Sequence, residues 1–274
     1  MESFVDVQRV ETRRINAEDK RRGWRLNDGW VLKCDIAKYF YSIDCDILRT
    51  RVFKLVKDDG IRELLDAILA QSCTHDASGR RRGIALGNQT SQWFALLYLD
   101  VVDRLVKERL QVRYYSRYMD DFVLVHESQE YLRHCLAAIE RECDAIGLRL
   151  NAKTQIMPLR HGVDYVGFHF HVEDDGHVRM MIRQRSRIGI QRALKKLVKM
   201  YVAREIEWPE VQMVLGSWLG HASHGDTRHL IGRVHIQMNY DLQHLARVDA
   251  ERTGKPSVVL PLKQLDDLFA RFGA

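Results

Sequence analysis

Two adjacent aspartates between two short strand-like segments constrain the fold of this chain more than any other feature. Residues 113–119 and 122–126 are rich in aromatic and β-branched side chains, and only Asp120 and Asp121 separate the hydrophobic runs. This pattern predicts a tight β-hairpin whose turn carries both carboxylates. Because two negative charges a few ångströms apart repel and raise each other's pKa, such a turn needs a compensating partner.

A pair of divalent cations would provide that compensation. In two-metal phosphoryl transfer, carboxylates hold two ions about 3.5–4 Å apart, one activating the attacking hydroxyl and the other stabilising the leaving oxygen. A third carboxylate should then come from a neighbouring strand, and Asp35 stands near the end of a predicted buried strand at 30–36. An Asp-Asp turn on its own is more often a solvated loop, so both interpretations stay open at this point.

The rest of the chain mixes strands and helices first and becomes helical afterwards. Asp44 is a predicted N-cap, and helices are expected at about 45–57, 60–72, 90–110 and 127–146, the last ending at Gly147. Residues 74–83 are expected to be rich in turns. Short strands are expected at about 155–159, 163–171 and 177–182, and three or four helices from about 184 onward.

Composition favours a globular protein. Of the 274 residues 46% are hydrophobic, which suffices for a substantial core. We expect a cytoplasmic protein with no membrane partner, because no apolar run approaches the roughly 20 residues of a membrane span and no signal-peptide core is present. The five cysteines are odd in number and lack the spacing of a zinc site, so buried free thiols are expected.

A segment whose charged residues are all basic begins at the last predicted strand. Between residues 176 and 204 there are nine basic residues and no Asp or Glu. They are Arg179, Arg183, Arg185, Arg187, Arg192, Lys195, Lys196, Lys199 and Arg204. Such a field is expected where a phosphate backbone lies. A solvated helix face is the alternative.

Five segments, in this order, resemble the conserved motifs of reverse transcriptases. Asp35 opens DIAKYF (motif A), residues 83–92 read GIALGNQTSQ (motif B), 118–121 YMDD (motif C), 147–154 GLRLNAKT (motif D) and 164–170 DYVGFHF (the primer grip). The resemblance implies an α+β polymerase right-hand palm, an antiparallel sheet with helices packed on one face, followed by a helical thumb, with the fingers largely missing. It implies an N-terminal arm or fingers remnant at 1–29, a palm with motifs A to E at 30–183, and a thumb and tail at 184–274.

The same resemblance implies RNA-directed DNA polymerisation with two Mg²⁺ ions, or Mn²⁺ in their place. Asp35 and Asp120 would be the principal ligands, with Asp121 as a third carboxylate and the main-chain carbonyl of Ile36 as a further oxygen. Lys153 would assist the departing pyrophosphate as a catalytic acid, where a flexible surface lysine is the alternative.

Further matched residues imply substrate contacts. Phe40 corresponds to the steric gate that excludes a 2′-hydroxyl and so selects dNTPs, and Gly87, Gln92 and Arg82 would also line the dNTP site. Template or primer contacts are implied for Tyr118, Met119, Ser91, Tyr165, Gly167, Phe168, Arg192, Lys195, Lys196 and Lys199. Ordinary core packing is the alternative for Phe40 and for the primer-grip residues.

The subgroup is indicated by motif B. Most retroviral, retron and group II intron enzymes have Gln before the motif B glycine and Pro after its serine, whereas this chain has Leu86 and Gln92. The form LGNQTSQ is similar to the enzymes of diversity-generating retroelements, which copy a template RNA with frequent errors at adenine. An RNA template, a DNA or RNA primer, dNTPs and an accessory protein of the element would be the partners. A group II intron-like or phage-defence enzyme is the alternative.

One departure from the family concerns the fingers. Only 34 residues precede Asp35, although the family places two further motifs there. Either the chain is a fragment, or a basic N-terminal set substitutes for those motifs: Arg13, Arg14, Lys20, Arg21 and Arg22. A non-catalytic nucleic-acid-binding palm is thus a competing expectation. An RNA-templated RNA polymerase is disfavoured by Phe40 and Met119.

Overall fold

The structure is a computed structural model and describes residues 28–273, so the N-terminal basic residues lie outside the described range. The strands are β1 (Trp30–Asp35), β2 (Cys73–His75), β3 (Arg81–Ile84), β4 (Tyr114–Tyr118), β5 (Asp121–His126), β6 (Gln155–Pro158), β7 (Val163–Tyr165), β8 (Phe168–Val172) and β9 (Val178–Ile182). The α-helices are α1 (Tyr39–Ser42), α2 (Cys45–Leu55), α3 (Asp59–Ser72), α4 (Gln89–Tyr98), α5 (Asp100–Arg104), α6 (Gln129–Ala145), α7 (Gln184–Val202), α8 (Trp208–Ala222), α9 (Arg228–Thr253) and α10 (Leu262–Ala270).

A four-stranded antiparallel sheet, in the order β4–β5–β1–β6, carries the predicted hairpin beside the strand of Asp35. Alternate residues of a strand share a face. Leu32 and Cys34 of β1 and Phe122 and Leu124 of β5 are therefore buried together, in one cluster with the apolar side of α6. The α+β palm fold with helices packed against an antiparallel sheet is confirmed.

Helix boundaries follow the capping residues that the sequence displays. The Asp44 carboxylate accepts hydrogen bonds from the amides of Asp46 at 3.0 Å and Ile47 at 3.1 Å, so α2 begins where predicted. Ser128 caps α6 in the same way. Caps of this kind typically contribute about 1 kcal/mol. Gly147, with φ of 73°, follows the end of α6 as predicted.

The single helix predicted at 90–110 is wrong. The segment is broken at Leu99 into α4 and α5, and α5 continues into a π-helical turn at Leu105–Arg109. The π turn is closed by the amide of Leu110 on the carbonyl of Leu105 at 2.8 Å. Leu105 and Val106 are both buried within this turn. Hydrophobic periodicity alone does not reveal such a break.

Residues predicted as turns at 74–83 belong to a β2–β3 hairpin, which also changes the outcome for the cysteines. An isolated bridge between Asp44 and Arg82 places the start of α2 beside β3, and β3 pairs with β2. Cys45 and Cys73 thereby come within a Cα–Cα distance of 6.4 Å and form a disulfide. The expectation of free thiols is wrong for these two and holds for Cys34, Cys135 and Cys143, which are buried and free.

The strand predicted at 163–171 is interrupted. Val166 and Gly167 adopt left-handed φ values of 44° and 86°, so β7 and β8 are separate strands of a sheet ordered β7–β8–β9. The described chain divides into two compact units near this point. The first holds residues up to Val166 with His171–Val178, and the second holds Gly167–Phe170 with the residues from Arg179 onward.

The second unit contains the four helices α7 to α10, in agreement with the predicted helical C-terminal part. Helix α7 buries Ile190, Leu194, Val198 and Val202, which recur every four residues and form one apolar stripe. Within residues 28–273, no helix combines the length and the apolar character that a membrane crossing requires.

Candidate active site

The turn of the β4–β5 hairpin differs by one residue from the prediction. Tyr118 pairs with Asp121, so Met119 and Asp120 form the two-residue turn and Asp121 is the first residue of β5. Two-residue hairpin turns require positive φ at a central position. Met119 supplies it with φ of 56°, a conformation that costs a non-glycine residue roughly 1–2 kcal/mol. The turn is therefore held in place by its surroundings.

Asp35 lies directly opposite Asp121 in the β1–β5 register. Residues opposite each other in an antiparallel pair have Cβ atoms about 4.5–5.5 Å apart. The strands thus bring Asp35, Asp121 and the adjoining Asp120 to one end of the sheet. The predicted meeting of a hairpin and a neighbouring strand at this point agrees with the register.

Electrostatics within the cluster agree with this closeness. The pKa of Asp120 is raised above its ordinary value, chiefly because burial penalises the charged carboxylate, and the negative charge of Asp35 adds to the shift. Two oxygen donors that repel each other in a partly buried place are suited to a hard divalent cation such as Mg²⁺.

Asp121 interacts with a cation of the chain itself. Lys33 Nζ lies 3.5 Å from Asp121 Oδ2, with the two side chains 20% and 26% exposed. Lys33 also donates to the main-chain carbonyl of Asp164. In the part of the chain that the structure describes, no three His, Cys, Asp or Glu side chains form a group ready to hold a metal ion. Asp35 and Asp120 offer carboxylate oxygens, which are ligands that a hard cation accepts, while Asp121 is paired with Lys33.

Main-chain hydrogen bonds attach motif D to the end of β1. The Asn151 amide donates to the Asp35 carbonyl at 2.7 Å, and the Ala37 amide donates to the Arg149 carbonyl at 2.9 Å. These bonds flank the bridge between Ile36 and Leu150 and are made by the neighbours of Ile36, not by its own carbonyl. Lys153 follows in an exposed turn. The predicted catalytic lysine therefore lies two residues after Asn151, whose amide is bonded to the Asp35 carbonyl.

Phe40 lies in the short helix α1, just after Asp35 in the chain. Its neighbour Tyr39 is 3% exposed and donates its hydroxyl hydrogen bond to the Ala95 carbonyl. Phe40 is only partly buried and packs edge-on against Tyr39, with ring centroids 5.8 Å apart. Phe40 is therefore partly accessible to solvent, and its role as a steric gate stays a prediction.

In motif B, some residues predicted to contact substrate or template are exposed to solvent, and one is buried. Leu86 is 57% exposed, and Gly87 has φ of 93° with open space where a Cβ would stand. Gln92 is exposed on α4, whereas Ser91 is fully buried. The predicted template contact of Ser91 is therefore not accessible in this conformation, because the residue faces the interior of the helix packing.

Arg82 is engaged within the palm. Its guanidinium donates to the carbonyl of Ser42 at 3.2 Å and to the carbonyl of Gly147. These bonds tie β3 to α1 and to the end of α6. Neither bond uses Nη1, so a direct dNTP contact, as predicted for Arg82, would fall to that nitrogen.

The predicted primer-grip residues are mostly interior. Tyr165 is 2% exposed, and its hydroxyl lies 3.2 Å from the Ser116 hydroxyl. Phe168 is 1% exposed and packs against His221 with the ring centroids 4.6 Å apart and the rings tilted. Tyr118, in contrast, is 62% exposed beside the turn. Of these side chains, Tyr118 is the one that presents a large surface to a primer.

The basic residues predicted to bind phosphates face solvent on helix α7. Arg192, Lys195, Lys196 and Lys199 are all exposed on this helix. Arg192 and Lys195 line one side of a groove between α7 and α9, of about 580 Å³, to which Arg187 and Arg233 also contribute, whereas Lys196 and Lys199 lie outside its lining. A cationic face of this size is suited to an anionic polymer.

Two features of the site were not predicted from the sequence. Lys33 was missed, although a charged residue within an apolar strand, two positions before Asp35, shares its face by strand alternation. The second is an ion pair between Arg117 of β4 and Asp103 of α5. No local pattern links those two residues, since they meet only after the sheet and helices pack.

Comparisons with solved structures give low similarity over long stretches. Telomerase from Candida albicans, in complex with a TWJ fragment of telomeric RNA, has a TM-score of 0.48 and 15% identity, covering 99% of this chain and 51% of that chain. Apo telomerase from Candida tropicalis has a TM-score of 0.49 and 14% identity, covering 66% of this chain and 36% of that chain. The chain spans about half the length, or less, of these telomerases.

Family membership rests on the sequence. No curated protein matches the chain significantly. A family model described as reverse transcriptase (RNA-dependent DNA polymerase) matches residues 12–170, which is more than half of the chain and includes all three aspartates. This chain therefore belongs to the reverse transcriptase family.

Proposed function

We propose that this chain is an RNA-directed DNA polymerase that adds dNTPs to the 3′-hydroxyl of a primer on an RNA template. The observation that supports this most is the placement of Asp35 opposite Asp121, with Asp120 in the adjoining turn. Asp35 and Asp120 would hold two Mg²⁺ ions, or Mn²⁺, with Asp121 and the Ile36 carbonyl as further oxygen donors. When bound, such ions activate the attacking hydroxyl and stabilise the leaving oxygen.

The chain's own residues would prepare the site for this reaction. Lys33 neutralises Asp121 and so reduces the repulsion among the carboxylates before the ions arrive. Phe40 would fill the space beneath the sugar and exclude a 2′-hydroxyl. Gly87 leaves room for the new base pair because it carries no Cβ. Lys153 would hold a proton for the leaving pyrophosphate.

Primer extension tests the proposal. Wild-type protein should extend a DNA primer on an RNA template with dNTPs and Mg²⁺, and Asp120→Asn should lower the rate by about two orders of magnitude or more, since removing a metal ligand costs several kcal/mol. Asp267→Asn, at an exposed aspartate of α10, is the control and should leave the rate unchanged. A non-catalytic palm would show no extension by the wild-type protein.

We also propose that the enzyme is of the diversity-generating retroelement type, with an accessory protein of the element as a further partner. Leu86 supports this: an apolar side chain that is 57% exposed in the motif B loop cannot donate the hydrogen bond that an amide would supply near the templating base. Correct and incorrect base pairs would then differ less in contact energy.

Fidelity measurements on Leu86→Gln test the subgroup. The variant should misincorporate less opposite template adenine than the wild type does, because the restored amide distinguishes the pairs. Leu64→Gln, at another exposed leucine in α3, should leave the error rate unchanged. A wild-type enzyme with few errors at adenine would favour a group II intron-like or phage-defence enzyme.

A further inference from the structure

Arg117 lies three residues before Asp120 and is bound on several sides. Its side chain is 10% exposed and forms a two-pronged ion pair with Asp103, Nε donating to Oδ1 at 2.7 Å and Nη2 donating to Oδ2. Nη1 donates to the main-chain carbonyl of Met119 at 3.0 Å. Nη2 also reaches the Leu96 carbonyl at 3.4 Å. One guanidinium therefore connects the turn to α4 and α5.

Asp103 is itself fixed by a second donor. The Tyr115 hydroxyl donates to Asp103 Oδ1 at 2.6 Å. Burial, and next the negative charge of Asp103, raise the pKa of Tyr115, so this hydroxyl keeps its proton and remains a donor. Tyr115 and Arg117 both belong to β4 and project from the same face of that strand. The Asp103 carboxylate is thus held in a fixed position, in which it binds the Arg117 guanidinium.

The bond to Met119 acts on the peptide unit that leads into Asp120. Met119 is the residue with left-handed φ in the turn, and its carbonyl belongs to the Met119–Asp120 peptide. The orientation of that peptide fixes the direction in which the Asp120 side chain leaves the backbone. The hydrogen bond from Arg117 to this carbonyl therefore restricts the orientation of the Asp120 carboxylate.

A lysine could not take over these contacts. Arginine presents five donors in a planar fork, so it can pair with a carboxylate through two atoms and still donate to another oxygen. Lysine has a single nitrogen and would have to choose between Asp103 and the turn. A merely stabilising ion pair would not need the third contact, and buried ion pairs are in general weak sources of stability.

We propose that Arg117 is a positioning residue of the polymerase site: held by Asp103, it fixes the Met119–Asp120 peptide and so aims the Asp120 carboxylate. The proposal rests on the function proposed above for Asp120. It assigns to the Arg117–Asp103 pair a role in catalysis without contact with substrate.

The test compares Arg117→Lys with two matched controls. Tyr115→Phe removes a bond to the same Asp103 oxygen without touching the turn. Arg49→Lys alters another two-pronged Arg–Asp pair, with Asp66, that lies elsewhere in the palm. Two properties are measured well below the melting temperature of each protein: amide hydrogen exchange in the hairpin, and kcat and KM for primer extension.

The expected result separates the variants. In R117K, amides at 119–121 should exchange at least about tenfold faster while those of β1 keep their protection. The kcat should fall by about 10- to 100-fold, as expected for a misplaced catalytic group, with the KM for dNTP changed less than about threefold. Arg49→Lys should keep kcat within about threefold of the wild type, and Tyr115→Phe, which leaves the Arg117–Met119 bond in place, should lose clearly less kcat than R117K.

Three outcomes decide the proposal. Unchanged exchange in the turn of folded R117K overturns it, and so does a kcat loss in Y115F equal to that in R117K at equal loss of stability. If R117K does not fold, Asp103→Asn replaces it, since the amide keeps the shape of the carboxylate and loses its charge. In this variant the amides at 119–121 should exchange faster than in the wild type, though less so than in R117K. Normal exchange at 119–121 in Asp103→Asn overturns the proposal. A wild-type protein without polymerase activity would refute the proposed function, and the exchange measurement would still decide whether Arg117 fixes the turn.

Discussion

At the scale of single residues, neighbours within one motif have opposite environments. Tyr39 and Phe40 are adjacent aromatic residues that the sequence cannot distinguish as core or surface. The structure buries Tyr39 through its hydroxyl bond to the Ala95 carbonyl and leaves Phe40 partly open. Lys38, with a left-handed φ of 48°, precedes the short helix in which the two rings point in different directions. No pattern in the sequence predicts this φ value.

The exposed part of Phe40 leads to a prediction about sugar selection. Phe40→Ala should admit ribonucleotides, because deleting the ring opens the space that a 2′-hydroxyl needs. The ratio of kcat/KM for dNTP to that for NTP should fall by about tenfold or more, consistent with steric exclusion worth at least 1.4 kcal/mol or so. Tyr41→Ala, at a 62% exposed ring of the same helix, should keep the ratio. Equal rejection of NTPs by Phe40→Ala and the wild type would make Phe40 a core residue.

At the scale of elements, patterns that are local in sequence were predicted well, and most pairings between distant segments were missed. The strand of Asp35 beside the hairpin is the exception, because the two-metal hypothesis required a third carboxylate there. The hairpin, the Asp44 cap and the Gly147 end of α6 were predicted because each depends on a few consecutive residues. The break at Leu99, the β2–β3 hairpin and the Cys45–Cys73 disulfide depend on packing between segments, so periodicity and composition did not reveal them. Among the site residues, Arg117 was missed for the same reason, since its partner Asp103 lies in another element.

Helix α7 carries a prediction about nucleic-acid binding. Lys195, Lys196 and Lys199 are exposed outside its buried stripe. Changing all three to Gln should weaken binding to a template-primer duplex and reduce the dependence of log K on log salt by about two units, because each phosphate contact contributes roughly 0.7–0.9. Preference among template sequences should stay the same.

A matched variant distinguishes specific contacts from net charge. Lys255, Lys263 and Arg271 are exposed in the same unit, and their change to Gln removes an equal charge. This control should alter the salt dependence far less. An unchanged slope in the α7 variant, or equal slopes in both variants, would make α7 an ordinary solvated helix face.

At the scale of the whole molecule, the two proposed tasks fall in different units. The three aspartates, Lys33 and the Arg117–Asp103 pair all belong to the first unit, and helix α7 belongs to the second. Variants of α7 should therefore change duplex affinity while metal binding at the aspartates is retained. Conversely, Asp120→Asn should lower the extension rate by about two orders of magnitude or more while duplex affinity is largely retained.

The central claim is that Asp35 and Asp120 share divalent cations, and crystals grown with template-primer, dNTP and Mn²⁺ test it most directly. Anomalous diffraction should locate two ions about 3.5–4 Å apart, held by carboxylate oxygens of Asp35 and Asp120. Crystals of Asp120→Asn, prepared in the same way, should lose at least one of these peaks. Wild-type crystals that bind the duplex and show no ion between Asp35 and Asp120 would contradict the account.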